Sequence, residues 1–412
     1  MPDDGRSRLG RGLAALMVVL SHASGYIPGM LAGFPLAFRV SIGANGYHGV
    51  SLFFAISGFL ITQKIINAST AAGSFSLNEF YLHRVGRIAP CLILMICLAC
   101  LISFSGIRDT QIDWPGFPRI LLEILTFTYN LDLHHIFSSY MQNPAVIPYS
   151  AVPRLWNPLW SLSVEEVFYL CFPLMMLTIR NRAALITALL IVIILGPIER
   201  YRTASFYWYF SNFDDIAMGC LVALIFIGRS VSSRAIRLLS RSAGLAIISA
   251  TFLITQDPNV ALVWGPTGIG AGAAFFLIGT IDEASSPSKL LFIPEQFGRL
   301  SYEVYLFHMI LLTLLRTSFE TVAAAVPNWQ GPVSYISLAA FIVLLFGASQ
   351  LVSRYFSIPS DRAIKSLGAH MLTRNKPLSN TAMQIVLRAP GETLRSEDAE
   401  REAVPVASDG KR

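Results

Sequence analysis

Long, uniformly apolar runs separated by short polar and basic segments set the pattern of this chain. The runs 183–198 and 333–352 carry no charged residue and approach the length at which a helix spans a hydrocarbon core of about 30 Å. Strands of a transmembrane barrel alternate in polarity over roughly ten residues, and these runs do not alternate. The pattern predicts ten helical crossings, at about 12–28, 47–66, 88–106, 157–178, 183–198, 205–228, 242–256, 261–281, 301–318 and 333–353. A further stretch, 120–131, is short and interrupted by Glu123, Thr126, Thr128 and Asn130.

Composition sharpens this picture. Hydrophobic residues make up 54% of the 412 and charged residues 14%, where soluble proteins carry about 25% charged, so a soluble globular fold is excluded. The net charge of +6 comes from basic residues gathered in short loops, a mark of membrane topology and not of nucleic-acid binding. With 120–131 left uncrossed, Arg6, Arg8, Arg11, Lys64, Arg84, Arg87, Arg180, Arg182 and the arginines of 229–241 all share one side. By the positive-inside rule that side is the cytoplasm, both termini lie there, and 120–131 belongs to an outer loop. The expected fold is an all-α, polytopic membrane helix bundle over 1–355. The remainder, 356–412, mixes charge with Pro, Ser and Gly and is expected to be a disordered or peripheral cytoplasmic tail. Cys97 and Cys100 have CxxC spacing inside an apolar run, with no second pair, which points to packing and not to a metal site.

Ionisable side chains within spans are costly and mark functional sites or buried pairs. His22 follows Arg11 by eleven residues, which returns it to nearly the same helix face about 16 Å further along the axis. Glu165 and Glu166, Asp214 and Asp215, and His308 fall at similar depth in three other spans. Four helices thus bring acid or imidazole to one level, which favours a shared site over four isolated polar groups. Arg11, Arg84 and Arg87 lie at the inner boundary, where guanidinium groups serve either as topology anchors or as partners for phosphate oxygens. Trp156, Trp160 and Trp208 near the outer ends fit an interfacial belt or a sugar-stacking surface.

Several local patterns carry a family resemblance: Arg11-Gly-Leu-Ala-Ala-Leu-Met-Val-Val-Leu-Ser-His22, the segment Gly49-Val-Ser-Leu-Phe-Phe54, and Phe80-Tyr-Leu-His-Arg-Val-Gly-Arg87. Trp160-Ser-Leu-Ser-Val-Glu165 and the stretch from Gly298 to His308 continue them in order. The chain resembles the acyltransferase family 3 membrane proteins, of the polysaccharide and nodulation-factor O-acetylase type. The resemblance implies a multi-pass protein of the bacterial inner membrane, which moves an acyl group, commonly acetyl, from acyl-coenzyme A to a hydroxyl of a carbohydrate or glycan-lipid acceptor. No permanently bound cofactor or metal is implied, and acyl-coenzyme A is a co-substrate. By analogy Arg11 and His22 form the essential pair, supported by Glu165, with Arg84 and Arg87 binding the donor. Glu166, Trp160, Asp214 and His308 are the expected acceptor-binding residues. One departure is Asn212-Phe-Asp214, where the family leads one to expect Arg-Phe-Asp.

The chemistry follows from the spacing. A cytoplasmic donor with its phosphates at the basic rim would extend its pantetheine arm about 16 Å toward His22, where a neutral imidazole takes a proton from the attacking hydroxyl. Glu165 is expected to orient that imidazole, as a triad carboxylate does. Transfer through an acyl-histidine remains the other route. A transporter or flippase with a midplane polar site is the rival function. The charge asymmetry makes a direct prediction: a cysteine engineered within 229–241 labels only in permeabilised cells, whereas one within 132–150 labels from outside. Efficient outside labelling at 229–241 would contradict the topology.

Overall fold

The computed structural model describes residues 5–72, 75–107, 110–142, 154–179, 181–254, 257–281 and 292–372. Arg180 and the expected tail beyond 372 lie outside the described residues. Every regular element among the described residues is helical: α1 Gly5–Tyr26, α2 Leu36–Asn45, α3 Gly49–Ala72, α4 Leu77–Ser103, α5 Phe117–Leu125, α6 Tyr129–Gln142, α7 Leu159–Thr178, α8 Arg182–Thr203, α9 Phe213–Ile225, α10 Arg234–Ile254, α11 Pro258–Ile278, α12 Phe292–Arg299, α13 Ser301–Ala325, α14 Gln330–Val352 and α15 Ile358–Leu372. Each of the ten predicted crossings has a helix in its place. Eight helices among the described residues are long and apolar enough to cross a membrane. Of the other two, α1 is long enough but is diluted by Arg8, Arg11 and His22, and α9 has only 13 residues, about 20 Å.

The shortness of α9 corrects the span expected at 205–228. Residues 205–212 form a loop whose aromatic side chains look like membrane helix in a hydropathy pattern. Asn212 closes that loop by donating from Nδ2 to the carbonyls of Phe206 and Trp208. At the basic boundary, α4 begins earlier than expected, at Leu77, with the Ser76 hydroxyl accepting from the Glu79 amide at 3.3 Å. Ser76 and Glu79 hold the positions of a capping box, and Arg84 and Arg87 therefore lie inside α4, not before it. The stretch 120–131 is divided between α5 and α6, which are broken at Phe127 with φ 58°, and neither is long enough to cross. Part of the expected tail is ordered, because α15 packs its Gly368 against Leu82 and its Asp361 against Gly86 of α4.

Close helix crossings shape the interior. A Cβ at Gly58 on α3 would collide with the Ile216 carbonyl of α9, and one at Gly219 would collide with the Ala55 carbonyl of α3. Membrane helices gain their association from such small-residue contacts because lipid gives no hydrophobic drive between them. Outward-facing side chains such as Leu190, Ile194, Leu239, Ile336, Val343 and Leu351 are exposed on the chain alone, which lipid solvates at no cost and water does not. The chain is a multi-pass membrane protein.

A fully buried ion pair ties α8, α9 and α11. The guanidinium of Arg200 meets the carboxylate of Asp214 at 2.8 and 3.0 Å. It also donates to the carbonyls of Val263 and Ser211 and to the Thr267 hydroxyl, which in turn donates to Asp214. All five guanidinium N–H groups thus have acceptors, the condition under which a buried charge is tolerated. Replacing Arg200 with Met should destabilise the protein by about 3–5 kcal/mol through the stranded carboxylate, read as loss of the monodisperse species on heating in detergent. The double replacement Arg200→Met, Asp214→Leu should recover much of that loss.

Candidate active site

His22 and His308 meet across the interface of α1 and α13. Nδ1 of His22 lies 2.7 Å from Nε2 of His308, and the ring planes are within 2° of parallel. The second nitrogen of His308, Nδ1, lies 2.6 Å from the backbone carbonyl of Tyr305. A carbonyl only accepts, so Nδ1 of His308 carries the proton, and in a neutral ring Nε2 is then an acceptor. His22 must donate to it from Nδ1. The lone pair of His22 is thereby assigned to Nε2, leaving a basic nitrogen whose direction is fixed by two hydrogen bonds in series.

His22 forms part of the wall of a cavity of about 450 Å³, within the range of small-molecule sites. Aromatic side chains dominate its lining, among them Tyr26, Tyr47, Trp160, Phe206 and Tyr207. Trp160 is held edge-on against Phe54, Phe206 and Tyr207. A second, narrower and mainly apolar cavity of about 40 Å³ runs between α1, α3, α7 and α13. Val18, Val50 and Tyr305 line both, and Glu165 lines the narrow one. The two spaces share a wall next to His22.

A family profile described as an acyltransferase domain matches residues 6–353. The chain belongs to acyltransferase family 3. It is 23% identical over 378 residues to the O-acetyltransferase OatA of Staphylococcus aureus strain COL, covering 86% of this chain and 59% of that relative. The OatA of strain MRSA252 is 23% identical over 372 residues, covering 84% and 58%. The chain thus spans about three fifths of the length of the curated relatives it matches. No solved structure matches it.

Within this acyltransferase family 3 fold, the expected site residues separate into groups. His22 and Trp160 line the large cavity, and His308 is hydrogen-bonded to His22 without lining it. Glu165 does not reach His22 as expected: its carboxylate accepts from the Tyr169 hydroxyl at 3.2 Å, and His308 takes the orienting place. Glu166, one residue further around α7, pairs with Arg84 at 2.7 Å, while the guanidinium carbon of Arg84 stands 3.7 Å from the centroid of the Tyr169 ring. Glu166 and Arg84, expected at the acceptor and at the donor respectively, are thus in contact with each other. Arg87 is exposed, and Lys64 is close enough for its charge to interact with those of Arg84, Arg87 and Lys365, the last of which pairs with Asp361 at 2.6 Å. Arg11 is buried on α1. Asp214 is committed to Arg200 and does not line the cavity. Trp156 and Trp160 are buried, so neither belongs to a lipid-facing belt.

Sequence reasoning missed Arg200 and the aromatic loop residues Phe206 and Tyr207. The signal for Arg200 was present, because a buried Asp214 requires a cation and Arg200 closes the preceding apolar run. The loop aromatics carried no signal that distinguishes a cavity wall from a span.

Proposed function

We propose that this protein is an O-acyltransferase that moves an acyl group, of which acetyl is the simplest case, from acyl-coenzyme A to a hydroxyl of a carbohydrate or glycan-lipid acceptor in the bacterial inner membrane. The observation that carries this reading is the polarised His22–His308 pair on the wall of an aromatic cavity, joined to a narrow apolar slot. The names of the O-acetyltransferase relatives support the reaction class. Ten crossings with both termini in the cytoplasm put the Arg84, Arg87, Lys64 and Lys365 end on the side where coenzyme A resides. There Arg87 and the lysines receive donor phosphates, with Arg84 held in place by Glu166. Residues 1–355 form the transferase and 356–412 the cytoplasmic extension.

In this mechanism the donor arm enters the slot lined by Glu165, and its thioester carbonyl reaches the shared wall. An acceptor sugar stacks on Trp160 in the larger cavity, as carbohydrate faces do on aromatic rings. Nε2 of His22 removes the hydroxyl proton while the oxygen attacks the carbonyl carbon. The resulting imidazolium keeps its Nδ1–H on His308, which stabilises it as it forms. Collapse breaks the carbon–sulfur bond, and the thiolate leaves with the proton from His22. The products are the ester and free coenzyme A.

His22→Gln keeps hydrogen-bonding capacity and much of the volume while removing the basic nitrogen. The variant should remain folded and still bind acetyl-coenzyme A, with transfer lowered about 10²- to 10⁴-fold, measured as thiol release with purified protein in lipid. Transfer near the wild-type rate would show that His22 is a structural residue.

A further inference from the structure

Among the described residues, the large cavity holds a charge without a counterion. Arg154, just before α7, lines the same space as His22 and Trp160 and is half-buried. Its guanidinium carbon stands 4.8 Å from the centroid of the Tyr26 ring, while on the same ring Arg316 stands at 5.1 Å. The two arginines differ in one respect. Arg316 is neutralised by Glu320 at 2.8 Å, whereas Arg154 meets no carboxylate among the described residues. No Asp or Glu stands among the described residues that line the cavity either. A partly desolvated cation facing only an aromatic surface is incompletely compensated, and a space walled by low-dielectric rings concentrates its field.

We infer that Arg154 selects an acceptor carrying an anionic oxygen group, a carboxylate or a phosphate, beside the hydroxyl that is acylated. This rests on the assignment of the large cavity to the acceptor. The planar guanidinium offers two parallel N–H donors to either group, and its cation–π contact with Tyr26 restrains where they are presented. The Tyr26 ring is itself held, since its hydroxyl accepts from Thr313 at 3.2 Å. Arg154 is a specificity residue and not part of the proton transfer. A neutral sugar reaches the same cavity but leaves the cation uncompensated. Carboxylate and phosphate are the same chemistry to this site, and they point to different acceptors: a uronic acid in the first case, a phosphate-linked sugar in the second.

The test uses the full chain in lipid nanodiscs and three probes: methyl β-glucoside, methyl β-glucuronide and glucose 1-phosphate. Transfer from acetyl-coenzyme A should favour at least one anionic probe over the neutral glucoside by about 10- to 100-fold in kcat/KM, the scale of a charge-assisted pair. Arg154→Gln should reduce that ratio to near one, with a larger fall for the favoured anionic probe than for the glucoside, and Arg154→Lys should retain part of the ratio. Which anionic probe leads distinguishes the uronic acid from the sugar phosphate. Binding of the same probes, read by tryptophan fluorescence in the His22→Gln background, repeats the comparison without turnover. Selective binding of an anionic probe that is lost in Arg154→Gln, with no transfer in any variant, would overturn the transferase reading and uphold this one. Equal binding of all three probes to the protein with Arg154 intact, or an equal loss of neutral and anionic probes in Arg154→Gln, would overturn the inference.

Discussion

A backbone carbonyl accepts hydrogen bonds and cannot donate them, and that asymmetry propagates from Tyr305 through two imidazole rings. It fixes the proton on Nδ1 of His308, makes Nε2 an acceptor, obliges His22 to donate from Nδ1, and leaves the lone pair of His22 on Nε2. The arrangement has the logic of a catalytic triad, in which one group holds an imidazole in its reactive tautomer and stabilises the cation formed. In the proposed chemistry a second histidine and a main-chain oxygen take this part instead of a carboxylate. A carboxylate beside His22 would add a full charge at a depth where charge is expensive; the neutral relay positions the ring without one.

Two buried carboxylates are matched by cations of their own. Arg200 satisfies Asp214 completely, and Arg84 engages Glu166. Both interactions anchor helices that surround the cavities, α8 to α9 and α4 to α7. The aromatic loop 205–212 then places Phe206 and Tyr207 on the cavity wall, where Trp160 packs against them. His22 and Arg154 are the basic side chains among the described residues of that wall, beside Ser21, Asn157 and the tyrosines.

Helix positions were legible in the sequence because apolar length is a one-dimensional property, and each of the ten runs contains a helix, the sixth only from Phe213 to Ile225. Relative depth was legible for the same reason: counting 1.5 Å per residue puts His22 and His308 at one level, and they meet. Azimuth was not. Glu165 and Glu166 differ by one residue and by about 100° around α7, so one faces the slot and the other Arg84. Counting places both at the level of His22 and cannot say which helix each one faces. For that reason His308 was expected to bind acceptor and Glu165 to orient His22, whereas the packing of α1 on α13 gives the orienting contact to His308. The loop 205–212 escaped detection because Phe, Tyr and Trp serve a membrane span and a buried cavity wall equally well.

The tautomer of His22 is the property from which the chemistry follows, and it can be observed without substrate. Nitrogen NMR of histidine-labelled protein in lipid distinguishes protonated from bare ring nitrogens. The account predicts His22 protonated at Nδ1 and bare at Nε2, with His308 also protonated at Nδ1, and it predicts that His308→Phe abolishes the preference at His22. A His22 ring that carries its proton on Nε2 in the intact protein would contradict it.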